Sequence, residues 1–235
     1  MRCGRQRHCL QQQVALVLRG AEVRQRRLDH MLAKAGEVAR AGGAGVDEGG
    51  GGAGARQRDR VHADRGAAPV DVRVQVDQAG EYGATRIYAG QMAVMGNRHP
   101  MARSIAHMAA QEERHRAHFD KMMATRGVRP TLLQPFWNVA GFALGAVTAA
   151  LGPEAAMACT AAIETEIDHH YAEQLDALGD DDAELSTAIR DFQAEEVKHR
   201  ETALAQGAEN APAYPLLSGA IRLGCRAAIA LSKRI

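Results

Sequence analysis

The chain has 235 residues, of which 46% are hydrophobic and 24% charged, and its formal net charge is +1. This length supports one large hydrophobic core or two small ones. Residues 71–235 contain 16 Lys and Arg against 21 Asp and Glu, and we expect no nucleic-acid partner for this folded part. The four cysteines form no Cys-x-x-Cys pair, so we expect ordinary thiols rather than the disulfide framework of a secreted domain.

The first 70 residues differ in composition from the rest of the chain. They contain 12 of the 24 glycines and 13 Lys and Arg against 7 Asp and Glu, and they contain no Phe, Tyr or Trp. Such a segment buries too little apolar surface to fold alone. We therefore predict a disordered, basic, glycine-rich extension over residues 1–70 and a folded domain over residues 71–235. The alternative is that the basic segment binds nucleic acid or a membrane surface.

Six helices and no strands are predicted in the folded part. Asp77 is the expected N-cap of the first helix, Pro100 opens the second, and Gly127 ends it. Asp181 together with Glu184 predicts the cap of the fifth helix. The fold class is therefore all-α. The predicted helices cover residues 77–97, 100–127, 136–152, 153–179, 181–207 and 215–235.

A Glu-x-x-His pair occurs twice, as EERH at residues 112–115 and as EVKH at residues 196–199. Glu112 and His115 occupy core positions on the apolar stripe of the second helix. Glu196 and His199 do the same in the fifth helix, where apolar residues also recur every three or four positions. Acidic and imidazole side chains therefore stand where core residues are expected.

Each pair is preceded by a glutamate at nearly the same distance. Glu81 lies 31 residues before Glu112, and Glu164 lies 32 residues before Glu196. In an antiparallel helical hairpin, arms of about 13 residues at 1.5 Å each bring the two glutamates back to one level. The chain therefore contains the same glutamate-and-hairpin unit twice.

Four buried carboxylates require positive charge nearby. A carboxylate removed from water costs several kcal/mol unless it is paired, and no Lys or Arg lies on the predicted stripes. One Glu from each of two helices and Glu-x-x-His from each of two others is the ligand set of ferritin-like di-metal bundles. Carboxylate with imidazole favours iron or manganese. The expected metal ligands are Glu81, Glu112, His115, Glu164, Glu196 and His199, with Glu112 and Glu196 as bridging ligands.

Two tyrosines and one histidine accompany the ligand pattern. Tyr88 follows Glu81 by seven residues, and Tyr171 follows Glu164 by seven. Each tyrosine either hydrogen-bonds to a ligand carboxylate or has a redox role. His170 either lies in the layer around the ligands or is an ordinary core or surface histidine. All three are candidate catalytic residues.

Other acidic residues near the pattern lie off the stripes. Glu113, Glu166 and Glu195 are expected to be solvated. A single Glu-x-x-His is most often a surface feature of a helix, so the metal interpretation depends on the two copies and on their partner glutamates.

The third and sixth predicted helices are apolar and amphipathic, respectively. Residues 130–153 carry no charge and nominally suffice to span a bilayer, but Pro135 and Asn138 favour a crossover within a bundle. The sixth helix is apolar on one side and carries Arg222 and Arg226 among its other residues. This pattern is typical of a helix that lies in a lipid interface or packs on the bundle. Together the two helices predict a bundle with membrane-facing helices and a lipophilic substrate.

A resemblance to a known family is carried by five segments, DQAGEYGATRIYAGQ, QEERHRAHF, AAIETEIDHHYAEQL, FQAEEVKHRETA and GCRAAIALSKRI. Together they resemble the demethoxyubiquinone hydroxylase family of ubiquinone biosynthesis. The resemblance covers about residues 75–235, and all six expected ligands match the ligand positions of the family.

The resemblance implies a peripheral membrane monooxygenase with a ferritin-like di-iron centre. Its two iron ions would use O2 to hydroxylate the ring of a demethoxyubiquinol that carries an isoprenoid tail. NADH is the implied reductant, although the chain has no Gly-x-Gly-x-x-Gly motif for binding it. The implied location is the cytoplasmic face of a bacterial cell membrane. The implied partners are lipids, the isoprenoid quinol and other proteins of ubiquinone biosynthesis.

Two other functions stay open. A ferritin- or rubrerythrin-like ferroxidase or iron-binding protein would use the same ligands, but it predicts a soluble cage or a Cys-x-x-Cys partner domain. A non-enzymatic, membrane-associated helical bundle predicts no bound metal.

Overall fold

The computed structural model describes residues 69–179 and 181–235, and within these ranges the protein contains helices and no strands. The prediction of an all-α fold is confirmed. The predicted extension lies outside the described residues, apart from its last two positions. The six helices are α1 Val70–Met95, α2 Ala102–Arg126, α3 Gln134–Leu151, α4 Pro153–Leu178, α5 Ala183–Ala205 and α6 Tyr214–Ser232, and a short 3-10 turn covers Ala208–Asn210.

The helix ends follow the predicted caps in part. Gly127 ends α2 in the left-handed conformation, with φ of 69°, as predicted. The prediction of Asp181 as the cap of α5 is wrong by one residue, because Asp182 caps this helix. The Asp182 side chain accepts a hydrogen bond from the backbone N–H of Leu185. It also pairs with Arg126 of α2, which fixes it at the cap position.

The first helix begins earlier than predicted. α1 starts at Val70, so Asp77 lies inside the helix and is not its N-cap. Asp77 is only 2% exposed, because His170 and Gln174 of α4 hydrogen-bond to its carboxylate. The carboxylate of Asp77 therefore forms a tertiary contact with α4 and does not cap the start of α1. Pro100 likewise lies in the turn before α2, which begins two residues later.

The helices of the bundle enclose a core in which a layer of polar side chains lies between two apolar layers. α1 packs against α2 and α3, and α4 packs against α5 and α6. The predicted core stripe of α2 is buried from Met108 through Glu112 and His115 to Phe119. Met108 belongs to one buried apolar cluster and Phe119 to another. The Glu and His side chains therefore lie between two apolar layers of the core.

Glycines bring α1 and α3 into backbone contact. A Cβ atom added at Gly145 of α3 would lie 2.0 Å from the carbonyl oxygen of Ile87, and one added at Gly90 of α1 would lie 2.2 Å from the carbonyl oxygen of Phe142. No larger residue allows this approach, so the two helices pack at a distance that only glycine permits. Gly141 and Gly145 of α3 form a Gly-x-x-x-Gly pattern, and this close packing against α1 explains why both positions are glycine.

Helices α3 and α6 expose large apolar side chains. In the described part of the chain, no helix combines the length and hydropathy needed to cross a bilayer. That these two helices face a membrane stays a prediction. Their most exposed apolar residues are Phe136, Val139, Val147, Leu151, Leu216, Leu223 and Leu231.

A buried carboxylate attaches α6 to the rest of the bundle. Glu166 of α4 is 5% exposed, and its two oxygens contact Arg222 Nε at 2.5 Å and Arg226 Nε at 3.0 Å. The prediction that Glu166 is solvated is therefore wrong. Its partners lie on the last helix, so the residue spacing within α4 could not reveal them.

Glu166→Ala is expected to loosen α6. The substitution removes the carboxylate from two guanidinium groups, and we expect a loss of about 1–2 kcal/mol of stability, since both guanidinium groups are partly exposed. Hydrogen–deuterium exchange of the α6 amides should accelerate. Glu173→Ala removes an exposed carboxylate from the same helix and should leave this exchange unchanged. Equal α6 exchange in Glu166→Ala and the unaltered protein would contradict this role.

Candidate metal centre

Six buried acidic and imidazole side chains meet inside the bundle, and each is at most 3% exposed. Their ligand atoms form two groups, and within each group these atoms lie within 4.8 Å of one another. Glu112 and Glu196 belong to both groups. The first group is completed by Glu81 and His115, and the second by Glu164 and His199. Each group offers enough ligand atoms for one metal ion.

Four helices bring these side chains to one level. α1 contributes Glu81 and α4 contributes Glu164, whereas α2 and α5 each contribute a Glu-x-x-His pair. Residues three positions apart share a helix face, so the Glu and His of each pair point into the same space. The ring of Phe192 on α5 stacks on the His115 ring, with centroids 4.1 Å apart. This stacking helps to fix the plane of that imidazole.

Both imidazoles direct Nδ1 toward the carboxylates. Nδ1 of His115 lies 3.0 Å from Glu196 and 3.5 Å from Glu81. Nδ1 of His199 lies 2.9 Å from Glu196 and 3.0 Å from Glu112. Nδ1 is therefore the nitrogen that each imidazole offers to a metal.

Burial and charge control protonation of the metal-free cluster. Burial, together with neighbouring carboxylates, raises the pKa values of Glu112 and Glu164 well above the ordinary value. Burial opposes the charged form of His115, but hydrogen bonds to carboxylates, Glu196 first among them, raise its pKa to about 10. Burial likewise opposes ionisation of Glu196, yet hydrogen bonds from His115 and His199 lower its pKa to about 2. The metal-free cluster therefore holds protons that a cation must displace.

Several buried atoms of the cluster lie near other polar atoms of the cluster but make no hydrogen bond of good geometry within the protein. They are both carboxylate oxygens of Glu112, Oε2 of Glu81, Oε2 of Glu164, Oε1 of Glu196 and Nδ1 of His115. Buried polar atoms without partners are costly, and two cations would supply partners for all of them. Carboxylate oxygens with imidazole nitrogens also form a donor set that suits iron or manganese. The residues therefore fit a centre of two metal ions.

Metal binding is expected to strengthen with pH. The pKa of His115 is about 10 in the folded metal-free protein, above the ordinary 6.5, so its contribution to stability is complete below pH 6.5 and is lost as the pH rises toward 10. Metal-free protein should therefore melt at lower temperature at pH 8.5 than at pH 6.5.

The affinity for a cation should rise with pH, because each proton that the cation displaces increases the affinity by at most about tenfold per pH unit. Thermal unfolding with and without Mn²⁺ measures both trends, and a pH-independent Mn²⁺ shift would contradict them.

Each tyrosine of the repeat hydrogen-bonds to a carboxylate of the other half. Tyr88 of α1 donates to Oε1 of Glu164 at 2.8 Å, and Tyr171 of α4 donates to Oε1 of Glu81. Each bond occupies one carboxylate oxygen, and Oε2 of both glutamates accepts no hydrogen bond of good geometry within the protein. Of the two roles left open for the tyrosines, the carboxylate hydrogen bond is present. The redox role stays a prediction.

The Nε2 atoms of the two imidazoles, which face away from the carboxylates of the cluster, contact two polar side chains outside the predicted site. Nε2 of His115 lies 3.0 Å from Oε2 of Glu195. Nε2 of His199 lies 3.1 Å from Oε1 of Gln111. The prediction that Glu195 is solvated is wrong, because its side chain is only 27% exposed and contacts His115. Their positions in the sequence could have identified both residues, since Gln111 and Glu195 each immediately precede a Glu-x-x-His pair.

An apolar cavity of about 520 Å³ extends to the cluster. Its walls come from α1, α3, α4 and α6, and they include Ile87, Leu144 and Ile221. Glu81 and Tyr171 line the same cavity, so one carboxylate of the cluster borders apolar space. No segment of the sequence alone predicts this cavity, because four separate helices enclose it.

His170 lines the cavity but does not join the cluster of six. Its Nε2 atom lies 3.1 Å from Oδ1 of Asp77, and Gln174 donates to Oδ2 of Asp77 at 2.8 Å. Asp77 also lines the cavity. His170 and Asp77 thus form a polar pair at the cavity wall, and the His170 ring lies next to that of Tyr171. A catalytic role of His170 stays a prediction.

Comparison with known proteins gives the chain a family. The sequence model described as "Ubiquinone biosynthesis protein COQ7" matches residues 69–232. A Rhodospirillum rubrum protein named "3-demethoxyubiquinol 3-hydroxylase" is 55% identical over 178 residues, which are 75% of this chain and 84% of that protein. The rat "NADPH-dependent 3-demethoxyubiquinone 3-hydroxylase, mitochondrial" is 53% identical over 171 residues, 71% of this chain and 78% of its own. The resemblance found in the sequence is confirmed, and the chain belongs to the COQ7 family of ubiquinone biosynthesis proteins.

Proposed function

We propose that this family member hydroxylates the ring of a 3-demethoxyubiquinol, with O2 as co-substrate and two iron ions as the metal centre. The observation that carries the proposal is the cluster of four carboxylates and two imidazoles beside an apolar cavity. The substrate class comes from the names of the bacterial and rat relatives.

The ligand roles follow from the way the two groups share residues. Glu112 and Glu196 belong to both groups and would bridge the two ions. Glu81 and His115 would complete the ligand set of one ion, and Glu164 and His199 that of the other. When bound, the two iron ions supply the activation of O2 that ring hydroxylation requires.

The cavity would bind and orient the quinol. Ile87, Leu144 and Ile221 offer apolar walls to the ring and to the start of an isoprenoid tail, and apolar burial contributes roughly 25 cal/mol per Å². Oδ1 of Asp77 lies 3.1 Å from Nε2 of His170. An ionised carboxylate only accepts hydrogen bonds, so Nε2 would donate to Asp77, and Nδ1 of His170 would be left as an acceptor for a ring hydroxyl. We assign His170 the role of orienting the ring and of taking up or returning its hydroxyl proton.

The exposed apolar residues of α3 and α6 support a location at a membrane surface. These two helices also contribute walls to the cavity, so a tail entering between them would come from the lipid phase. We propose peripheral contact with the cytoplasmic face of a bacterial cell membrane. We also propose that residues 71–235 are the ferritin-like domain that carries the activity, since the family match begins at residue 69.

A ferroxidase would use the same ligands but has no need of an apolar cavity beside them. The test is expression of the full chain in a strain that lacks this hydroxylation step, followed by mass spectrometry of the extracted quinones. Conversion of demethoxyubiquinone to the hydroxylated product is expected. Iron-loaded protein that leaves the demethoxyubiquinone unconverted in cells and also fails with purified substrate, O2 and either NADH or NADPH would reject the proposal.

A further inference from the structure

Each outer imidazole nitrogen contacts a side chain from the opposite copy of the repeat. Glu195 of α5 contacts His115 of α2, and Gln111 of α2 contacts His199 of α5. The two outer side chains are also joined, because Nε2 of Gln111 donates to Oε2 of Glu195 at 2.7 Å. The four residues therefore form one hydrogen-bonded chain along the outer side of the cluster.

This chain determines which nitrogen of each imidazole carries a proton. An ionised carboxylate only accepts hydrogen bonds, so Nε2 of His115 donates to Glu195. The same carboxylate accepts from the amide nitrogen of Gln111, which turns the amide oxygen toward His199. Nε2 of His199 must therefore also donate. Both Nδ1 atoms, which face the carboxylates of the cluster, are left as the ligand atoms.

The two copies differ in the charge of the outer partner. His115 donates to a carboxylate, whereas His199 donates to a neutral amide. Hydrogen bonds to a charged partner are roughly twice as strong as those between neutral groups, and a carboxylate partner makes an imidazole a more basic metal ligand. Arg114 also contacts Oε2 of Glu195 at 3.1 Å, but its side chain is 61% exposed, so it offsets the charge only in part.

We propose that Glu195 and Gln111 are positioning residues for the two imidazoles, and that the carboxylate makes the cation position beside His115 bind a divalent ion more tightly than the position beside His199. The proposal rests on the metal centre proposed above and adds an order of filling to it. It predicts two unlike metal positions in a site whose six ligands are repeated almost symmetrically.

The experiment titrates the metal-free full chain with Co²⁺ and follows proton NMR. An Nε2 proton on a Co²⁺-bound imidazole gives a strongly shifted, solvent-exchangeable signal. One such signal therefore appears for each position that Co²⁺ occupies. One such signal is expected up to one equivalent of Co²⁺ and a second between one and two equivalents. Repulsion between the two bound cations would also make the second Co²⁺ bind more weakly than the first. If the two positions had equal affinity, however, the first Co²⁺ would distribute over both of them, and both signals would appear from the first addition.

Exchanging the outer partners assigns the signals. Glu195→Gln is expected to move the first signal and to weaken the first step by about 10- to 100-fold, the range typical of lost outer partners. Gln111→Glu should move the second signal and strengthen the second step. In the double variant with both changes, the two signals should appear in the reverse order.

A matched control removes a charge without touching the chain of hydrogen bonds. Glu113 lies beside Glu112, its side chain is 55% exposed, and it pairs with Arg116. Glu113→Gln should therefore leave both signals and both steps unchanged. Circular dichroism of each variant verifies that the helices are retained.

Four results would overturn the inference. Two signals that grow together from the first addition would show equal positions. An unmoved first signal in Glu195→Gln, or an unreversed order in the double variant, would remove the role of the outer charge. A protein that binds no Co²⁺ would reject the metal centre itself, whereas two equal Co²⁺ ions would leave that centre intact and reject only the order of filling.

Discussion

Glu112→Gln is expected to abolish the hydroxylation and to weaken metal binding by more than about 100-fold, beyond the loss typical of an outer partner. Glu112 is fully buried and contributes to both ligand groups, so its substitution damages both positions at once. The metal-free variant should nevertheless melt at the same or a higher temperature than metal-free unaltered protein. Burial and the neighbouring carboxylates, in that order, raise the pKa of Glu112 because they disfavour its charged form. An amide of the same shape carries no charge, so it avoids this cost.

The opposite directions of these two effects separate a metal ligand from a structural residue. A core glutamate with a purely structural role would lose stability on substitution and would leave metal content unchanged. Iron content after anaerobic loading, activity and thermal midpoint measured on the same preparations give the comparison. Glu113→Gln is the matched control, because it removes the adjacent exposed carboxylate and should change none of the three. Full iron content in Glu112→Gln would contradict the assignment.

Gly145→Ala is expected to cost about 3 kcal/mol or more, at or beyond the upper end for overpacking a core. The added Cβ would lie 2.0 Å from the carbonyl oxygen of Ile87 and 2.8 Å from its carbonyl carbon. Both are backbone atoms of a regular helix, so no side-chain rotation can relieve the contact. α3 must move away from α1, and both helices line the cavity. The substitution should therefore impair substrate binding as well as stability.

Denaturant unfolding of Gly145→Ala and of Gly80→Ala tests this packing directly. Gly80 lies on α1 in an exposed position, and a Cβ added there meets nothing within 4 Å. Its replacement by alanine should stabilise the protein by about 0.5–1 kcal/mol through helix propensity. Equal stability of the two variants would mean that α1 and α3 do not pack through their backbones.

The sequence was sufficient to predict the cluster of six because the cluster obeys helical spacing. Glu112 and His115 are separated by three residues on one face, and the distance from Glu81 to Glu112 is that of a short hairpin. These are local rules, and a second copy at Glu164 and Glu196 repeats them. The prediction of an all-α fold follows from the same periodicity.

Contacts between distant helices were missed for a shared reason. Asp77 looked like a helix cap because its partners, His170 and Gln174, lie on α4. Glu166 looked solvated because its two arginines lie on α6. In each case a polar residue off the expected stripe is buried by an ion pair or hydrogen bond from far along the chain, and no local pattern encodes that partner.

Native mass spectrometry of the full chain after anaerobic loading with Fe²⁺ tests most directly whether the inward-facing carboxylates hold a pair of cations. Two iron ions per chain are expected, together with a rise in the thermal midpoint on loading, because ligands that bind only the folded state stabilise it. A folded chain that carries no stoichiometric iron or manganese, and melts at the same temperature with and without these metals, would contradict the account.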